Sequence, residues 1–129
     1  MSSVFTKIVN GEIPCYKVAE NDQFLAFLDI TPIRRGHVLV IPKSEVDYIF
    51  DLADDSLGGI FIFAKAVSAK IKKVFPCKKV GITVIGLEVP HAHIHLIPIN
   101  SLADMNFAQE KLILGSEEFI DIANQLQNA

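Results

Sequence analysis

Three of the four histidines in this 129-residue chain stand at alternate positions of one short segment, residues 91–97, which reads HAHIHLI. Alternate side chains of a β-strand point to the same face. We therefore expect His91, His93 and His95 to share a face while the residues between them enter the core. A neutral imidazole can attack an electrophile near pH 7 without first losing a proton, and its neighbours can orient it and hold negative charge. The spacing predicts nucleophilic catalysis, with the middle residue, His93, as the nucleophile.

Two other interpretations of this segment stay open. One is a set of surface histidines on an exposed strand. The other is a metal site, because two histidines at positions i and i+2 of a strand can bind zinc and a third can complete a site that water closes. No cluster of cysteines or carboxylates stands at a matching spacing in the sequence. Nucleophilic catalysis is therefore the interpretation that we favour.

The elements that must position these histidines follow from apolar periodicity and turn signals. Strands are predicted at residues 16–20, 24–29, 37–41, 80–85 and 91–97, after a short helical turn at residues 4–10. A long helix is predicted at residues 56–75 and a final amphipathic helix at residues 117–126. The links between strands are too short for parallel crossovers, except where the long helix intervenes. We therefore expect an α+β fold with an antiparallel sheet.

The long helix carries more apolar surface than one core-facing side requires. Its main stripe, at helical spacing, comprises Leu57, Ile60, Phe61, Ala64, Val67, Ser68, Ile71 and Phe75. Ile62 and Phe63 fall off that stripe. A helix that is apolar on a second side often packs against a second surface. We therefore expect a homodimer in which Ile62 and Phe63 contribute to the interface.

Composition places the chain among compact domains and excludes several classes of protein. Its length predicts a single domain over residues 1–129. The net charge of −3 and the pI of about 5.7 argue against a nucleic-acid partner, which usually requires a basic face. The mean hydropathy of +0.37 is high, yet no apolar run approaches the roughly 20 residues of a membrane span, and we expect no signal peptide. The two cysteines, Cys15 and Cys77, are too few for a disulfide framework, so we expect reduced thiols and a cytoplasmic location.

Three further segments accompany the histidines. The opening reads VFTKIVNGEIP, the predicted strand pair reads FLAFLDITPIRRGHVLVIPK, and the histidine strand is entered through GLEVP. Together with HAHIHLI, which fits the pattern His-φ-His-φ-His-φ-φ, these segments resemble the histidine triad (HIT) superfamily over about residues 4–100. The match is best to the Hint branch or to a bacterial relative of it.

The resemblance implies a five-stranded antiparallel sheet, a homodimer and a purine nucleotide ligand that is cleaved at its α-phosphorus without a metal or cofactor. It implies that His93 forms a nucleotidyl-histidine intermediate and that His91 and His95 orient it and contact phosphate oxygens. His37 corresponds to a fourth histidine of the pocket and Asp29 to a carboxylate that binds the ribose hydroxyls. The apolar walls of the base pocket correspond to Phe5, Ile8, Phe27, Ile30 and Leu39. Asp29 also suits a turn cap, His37 also suits an edge strand, and several of the apolar residues also suit plain core packing.

The same resemblance leaves three functions open: a nucleotide phosphoramidase, a dinucleoside polyphosphate hydrolase, and a nucleotide-binding regulatory module with negligible turnover. Several departures from the family pattern bear on that choice. Many bacterial relatives carry zinc-binding cysteines at positions that match Val4 and Thr6, which cannot bind zinc, so we expect no structural metal here. As a separate departure, Glu45 stands where the family often has a histidine two residues after the Ile-Pro-Lys run. A shortened segment, residues 85–87, replaces polar groups that hold phosphate or ribose. The tail after residue 100 ends in a helix and lacks the Trp- and Pro-rich pattern of the Hint branch.

Overall fold

The computed structural model describes residues 2–129, and Met1 lies outside the described residues. The helices and strands are α1 (Val4–Val9), β1 (Lys17–Glu20), β2 (Phe24–Leu28), β3 (Val38–Pro42), α2 (Asp54–Val74), β4 (Lys79–Thr83), β5 (Ile94–Ile99) and α3 (Ser116–Gln127). The five strands form one antiparallel sheet in the order β1-β2-β3-β5-β4. The predicted α+β fold, with its five-stranded sheet, long central helix and C-terminal helix, is confirmed. Within residues 2–129, no helix has the length and apolar character needed to cross a membrane.

One face of the sheet builds the main hydrophobic core. The even-numbered residues of the three central strands point to this face and are buried there: Phe24, Ala26, Leu28, Val38, Val40, Ile94 and Leu96. They belong to the same core as the inner stripe of α2 (Ile60, Ala64, Val67, Ile71) and that of α3 (Phe119, Ile122, Ala123, Leu126). Each fully buried Val, Leu, Ile or Phe side chain among these residues contributes about 1.5–3 kcal/mol to the free energy of unfolding. This face therefore supplies most of the hydrophobic stabilisation.

The opposite face of the sheet carries a second, smaller cluster. Leu25, Phe27, Leu39 and Ile41 pack there against Phe5 of α1. This helix spans only six residues and is N-capped by Ser3, whose hydroxyl accepts a hydrogen bond from the Thr6 N–H. Because so short a helix covers only part of the sheet, a concave surface remains between α1 and the central strands.

A tight turn sets the start of β3. Gly36 has a φ of +89°, which favours glycine, and a Cβ at this position would lie 2.7 Å from the Phe75 ring. The turn brings the chain back so that the Asp29 N–H donates to the His37 carbonyl at 3.1 Å. Gly36 thus fixes where the residues that flank β2 and β3 meet.

The strand that contains the histidines begins later than the sequence predicts. The prediction was residues 91–97, whereas β5 is Ile94–Ile99 and pairs with β3 only from Val40 opposite Ile94. The reason is that β3 ends at Pro42, which has no N–H to continue the ladder. Residues 91–93 therefore form an extended segment ahead of the strand, although Ala92 still enters the main core.

The outer side of α2 also differs in detail from the prediction. Phe61, predicted on the core-facing stripe, is 42% exposed, and Ile62 is 72% exposed. Phe63, predicted on the outer side, instead packs against the main core, with its ring centroid 5.7 Å from that of Phe24. The large apolar residues that α2 exposes are therefore Phe61 and Ile62.

Candidate active site

The alternation that builds the core also assembles the candidate site on the opposite face of the sheet. Asp29 continues the odd-numbered series of β2, His37 precedes that of β3, and His95 lies opposite Leu39 in the β3–β5 pairing. These side chains line a cavity of about 450 Å³ between α1 and the sheet. The predicted site residues around this cavity are Phe5, Ile8, Phe27, Asp29, Ile30, His37, Leu39, His93 and His95. His91, the remaining predicted residue, does not line it.

His93 is held so that one ring nitrogen is free to react. Its Nδ1 lies 2.7 Å from the carbonyl oxygen of His91. A carbonyl can only accept a hydrogen bond, so Nδ1 carries the proton and Nε2 of the neutral ring has a bare lone pair. The rings of Phe5 and His95 pack against the imidazole, each with its centroid at 5.0 Å. His93 lines the cavity, and Nε2 of its neutral ring is therefore unprotonated and oriented by these contacts.

His95 is held in the opposite tautomer through a relay that starts at a backbone amide. The Ile33 N–H donates to Nδ1 of His37 at 3.2 Å, which places the His37 proton on Nε2. That Nε2 donates to Nδ1 of His95 at 2.9 Å, so the proton of neutral His95 is on Nε2. Burial lowers the pKa of both imidazoles to about 4, which keeps them neutral at pH 7. His95 therefore offers an N–H donor beside the lone pair of His93.

His91 is placed differently from what we expected. It is fully buried, and both of its ring nitrogens are occupied, Nε2 by the Pro42 carbonyl at 2.8 Å and Nδ1 by the Ser3 hydroxyl at 2.8 Å. The expectation that His91 contacts phosphate oxygens does not fit this geometry. The ring is turned toward the N-terminal residues, and what His91 presents to the site is its backbone carbonyl.

Two positions at which the sequence departs from the family pattern, Thr6 and Glu45, lie together beside His91. One oxygen of Glu45, Oε1, accepts hydrogen bonds from the Thr6 hydroxyl at 2.7 Å and the Ser3 N–H at 2.6 Å. Of the two positions matched to zinc-binding cysteines, only Thr6 faces this cluster; Val4 lines the cavity instead. Ser3 was missed, and the available signal was a serine placed to cap the predicted helical turn.

Asp29 caps a turn with one carboxylate oxygen and places the other near His37. Oδ1 accepts from the Thr31 N–H at 2.8 Å and from the Thr31 hydroxyl at 3.1 Å, which caps the turn. Oδ2 lies 3.4 Å from Nε2 of His37, and Asp29 lines the cavity. The turn therefore orients the carboxylate without using both of its oxygens.

Residues beyond the histidine strand close one side of the cavity. The Phe107 ring packs edge-on against His95 at 5.0 Å and against His37 at 6.2 Å. Lys111 also lines the cavity, and its ammonium group donates to the Phe107 carbonyl at 2.5 Å. Leu87 lines the opposite part and is 89% exposed. Sequence reasoning missed Phe107 and Lys111 because this segment is irregular and has no periodicity to show which side chains turn inward.

The donor chemistry does not favour a metal at either group of polar residues. Asp29, His37 and His95 offer three ligand atoms within 4.8 Å of one another. A cation on Nε2 of His37 would displace that proton to Nδ1, where it would meet the Ile33 N–H and leave this buried donor unpaired. In the cluster around Glu45, the two hydroxyls of Ser3 and Thr6 are not among the ligands that zinc prefers in proteins.

Comparison with known proteins gives consistent similarities. A family model for the HIT domain matches residues 10–102. An adenosine 5′-monophosphoramidase of Schizosaccharomyces pombe is 40% identical over 99 residues, which cover 76% of this chain and 74% of the relative. Among solved structures, a HIT-like protein of Bartonella henselae has a TM-score of 0.85 at 26% identity and covers 98% of this chain and 95% of that one. A zinc-bound histidine triad family protein of Mycobacterium smegmatis has a TM-score of 0.81 at 25% identity, covering 99% and 92%.

Proposed function

The chain belongs to the histidine triad (HIT) family, and from that premise we propose that it is a nucleotide hydrolase that attacks the α-phosphorus of a purine nucleotide derivative through His93. The observation that carries the proposal is the pair of opposite tautomers on one cavity wall. Nδ1–H of His93 is bonded to the His91 carbonyl, and Nδ1 of His95 is bonded to His37. Phosphoryl transfer requires a nucleophile beside a donor for the non-bridging oxygens. These two rings supply both groups.

The reaction proceeds in two displacements. The Nε2 lone pair of His93 attacks phosphorus, the P–N bond of a phosphoramidate breaks, and the amine leaves with a proton taken from solvent. The nucleotidyl group is then on Nε2, and the His91 carbonyl accepts a hydrogen bond from the Nδ1–H of the resulting cationic ring. Water next attacks phosphorus, Nε2 leaves with its electron pair, and the attacking water loses a proton to solvent, which restores the one that the amine took up. Nucleoside monophosphate and amine are the products.

The remaining lining of the cavity supports a nucleoside as the bound group. Apolar side chains form most of the walls, and Phe5 and Phe27 pack edge to face with ring centroids 5.5 Å apart. A purine can insert between such walls, while the free oxygen of Asp29 accepts from ribose hydroxyls. The Schizosaccharomyces pombe relative is an adenosine 5′-monophosphoramidase. This similarity supports AMP as the nucleotide and an amine as the leaving group for this chain.

One observation keeps a second candidate function in view. Leu87, at the cavity mouth, can neither donate nor accept a hydrogen bond, where the family pattern has a polar side chain. A site without that group suits a nucleotide-binding module with slow turnover. A dinucleoside polyphosphate hydrolase is the other alternative, and it differs by tolerating a nucleotide as the leaving group.

Release of AMP from adenosine phosphoramidate tests the proposal, with His93→Ala as the control. Denaturing quench with labelled substrate should trap the nucleotide on the wild-type chain and not on His93→Ala. Label retained by His93→Ala would show that another residue is the nucleophile. The same assay in EDTA, with elemental analysis of the protein, tests metal independence; one zinc per chain that tracks with activity would contradict it. Saturable AMP binding without AMP release from any of these substrates would favour the binding module.

We also propose that the chain acts as one domain, as a homodimer and in the cytoplasm. Helices α1 and α3, near the two ends, pack on the same sheet, which supports a single domain. Phe61 and Ile62 leave an apolar surface on α2 that a second copy can cover. Cys15 and Cys77 are both free thiols, which suits a reducing compartment.

A further inference from the structure

The cluster around Glu45 is not part of the cavity, yet it is bonded to the segment that holds the nucleophile. Glu45 lies after β3, more than 30 residues along the chain from Ser3 and Thr6 and from His91. Ser3 is 6% exposed and His91 is fully buried, whereas Glu45 itself is exposed. The Glu45 carboxylate accepts from the N–H of buried Ser3 at 2.6 Å and from the hydroxyl of half-buried Thr6 at 2.7 Å. Two such charge-assisted hydrogen bonds to one oxygen make an organised contact.

The hydrogens in this cluster can be assigned from the bonding partners. The Pro42 carbonyl accepts from Nε2 of His91, so neutral His91 has a bare Nδ1 that must accept. Two hydroxyls lie near this Nδ1, that of Ser3 at 2.8 Å and that of Thr6 at 3.3 Å. The Thr6 hydroxyl has a single proton and gives it to Glu45 at 2.7 Å. Ser3 is therefore the donor to His91, and Glu45 determines this by engaging the competing hydroxyl.

The fixed ring of His91 in turn fixes its carbonyl. Bonds at both ring nitrogens, to Ser3 and Pro42, hold the residue from two sides. Its carbonyl oxygen is the acceptor, at 2.7 Å, that keeps the His93 proton on Nδ1. A chain of hydrogen bonds from Glu45 through Thr6 and Ser3 thus reaches the His91 ring, and the His91 carbonyl continues the path to the ring of His93.

From this chain we propose that Glu45 is a positioning residue, which acts through Thr6 and Ser3 on His91 and so sets the tautomer and orientation of His93. Only the kinetic test of this inference rests on the proposed function; the spectroscopic test does not. Glu45 touches no residue that binds the substrate directly. Its loss should therefore reduce kcat more than it raises KM, because the base and ribose contacts are unchanged.

Two substitutions at Glu45 separate positioning from folding. Glu45→Gln keeps an acceptor oxygen for Thr6 and Ser3, whereas Glu45→Ala removes it. We expect Glu45→Ala to lower kcat on adenosine phosphoramidate about ten-fold with KM changed less than about three-fold. A 1 Å misplacement of a reacting group can cost about 100-fold, and the loss of a remote carboxylate should shift the ring by less than that. Glu45→Gln should restore kcat to within about three-fold of wild type. Glu117→Ala, on the exposed first turn of α3, serves as a matched control that leaves kcat unchanged.

Nitrogen NMR of the histidine rings measures the tautomers of His91 and His93 directly and requires no substrate. In the wild type, the protons of His91 and His93 should lie on Nε2 and Nδ1, respectively. Glu45→Ala should convert His93 to a mixture of tautomers, and Glu45→Gln should not. If adenosine phosphoramidate is not a substrate, the proposed function fails and these spectra still decide the role of Glu45. Wild-type-like spectra and kcat in Glu45→Ala would overturn the inference, as would equal defects in the Ala and Gln variants.

Thr6→Val gives an independent test that holds even if Glu45→Ala folds poorly. Removing the Thr6 hydroxyl breaks the same chain one bond further in and leaves the Ser3 N–H bond to Glu45 in place. We expect the same loss of kcat and the same mixture of His93 tautomers. The double variant of Glu45→Ala with Thr6→Val should be no more than about two-fold worse than the worse single variant, because both act on one path. Multiplicative losses, or an unaltered Thr6→Val, would contradict the proposal.

Discussion

Nε2 of His37 lies 2.9 Å from Nδ1 of His95, so that two buried imidazoles share one hydrogen bond beside the ring of His93. His37 is 2% exposed and His95 9%. The Asp29 carboxylate, 3.4 Å from His37, favours the charged imidazole, but the cost of burial is larger and lowers the pKa of His37 to about 4. The pair therefore serves the site as neutral rings.

This burial predicts acid sensitivity in a defined window. The ordinary imidazole pKa is 6.5 and the folded values for His37 and His95 are about 4, so the unfolded chain binds more protons between these limits. The contribution of these two neutral rings to the free energy of unfolding should be at its maximum above pH 6.5. The free energy of unfolding should then fall as the pH drops toward 4. Urea unfolding across this range measures it, and His37→Gln should flatten the dependence. A free energy that stays constant from pH 7 to 5 would show that these rings are not held neutral.

Leu87→Gln is expected to raise kcat on adenosine phosphoramidate. Restoring a hydrogen-bonding group at the cavity mouth adds an interaction that strengthens as charge shifts in the transition state. One such donor is worth about 10²–10³ in kcat where it has been measured, and we expect a smaller gain because Leu87 is 89% exposed. AMP affinity, measured by calorimetry, should stay within a few-fold. Unchanged kcat would mean that backbone amides near Gly86 already supply the donor.

Gly36→Ala should destabilise the protein. The φ of +89° disfavours any side chain, and the new methyl group would meet the Phe75 ring at 2.7 Å. We expect a loss of about 1–3 kcal/mol in the free energy of unfolding, measured in urea. Gly58→Ala is the matched control, because its methyl group would enter open space within α2. That change should be neutral or stabilising by up to about 1 kcal/mol. Equal effects at the two glycines would refute the role of the turn.

Ile62→Glu should convert a dimer to a monomer. Ile62 is 72% exposed beside Phe61 on α2, and a charge buried there in an interface would lack a partner. Light scattering of the wild type should give about twice the chain mass of 14.2 kDa, and the variant should give one chain mass. Ile120→Glu, on the exposed side of α3, is the control. A wild type that is already monomeric at micromolar concentration would remove the dimer proposal.

Periodicity in the sequence predicts the helices and strands, whereas Asp29, His37 and the apolar residues of the site are predicted from the resemblance to the HIT superfamily. The alternation in β2 and β3 places Leu25, Phe27 and Leu39 on the face opposite the core, and the same rule carries Asp29 and His37 to that face. These placements need only the two-residue repeat of a strand.

What periodicity could not provide depends on partners distant in the chain. The strand around His95 starts late because Pro42, on another strand, ends the ladder. His91 turns away from the cavity because Ser3 and Pro42 bind both ring nitrogens. No local sequence pattern predicts these contacts, because each joins residues more than 40 positions apart.

The division of the sheet into a core face and a site face separates two kinds of evolutionary change. Neighbouring residues such as Leu39 and Val40 point to opposite sides, the first toward the cavity and the second into the main core. Selection for a new ligand can therefore act on the cavity-lining positions Phe27 and Leu39, while the even-numbered positions of the same strands preserve the main core.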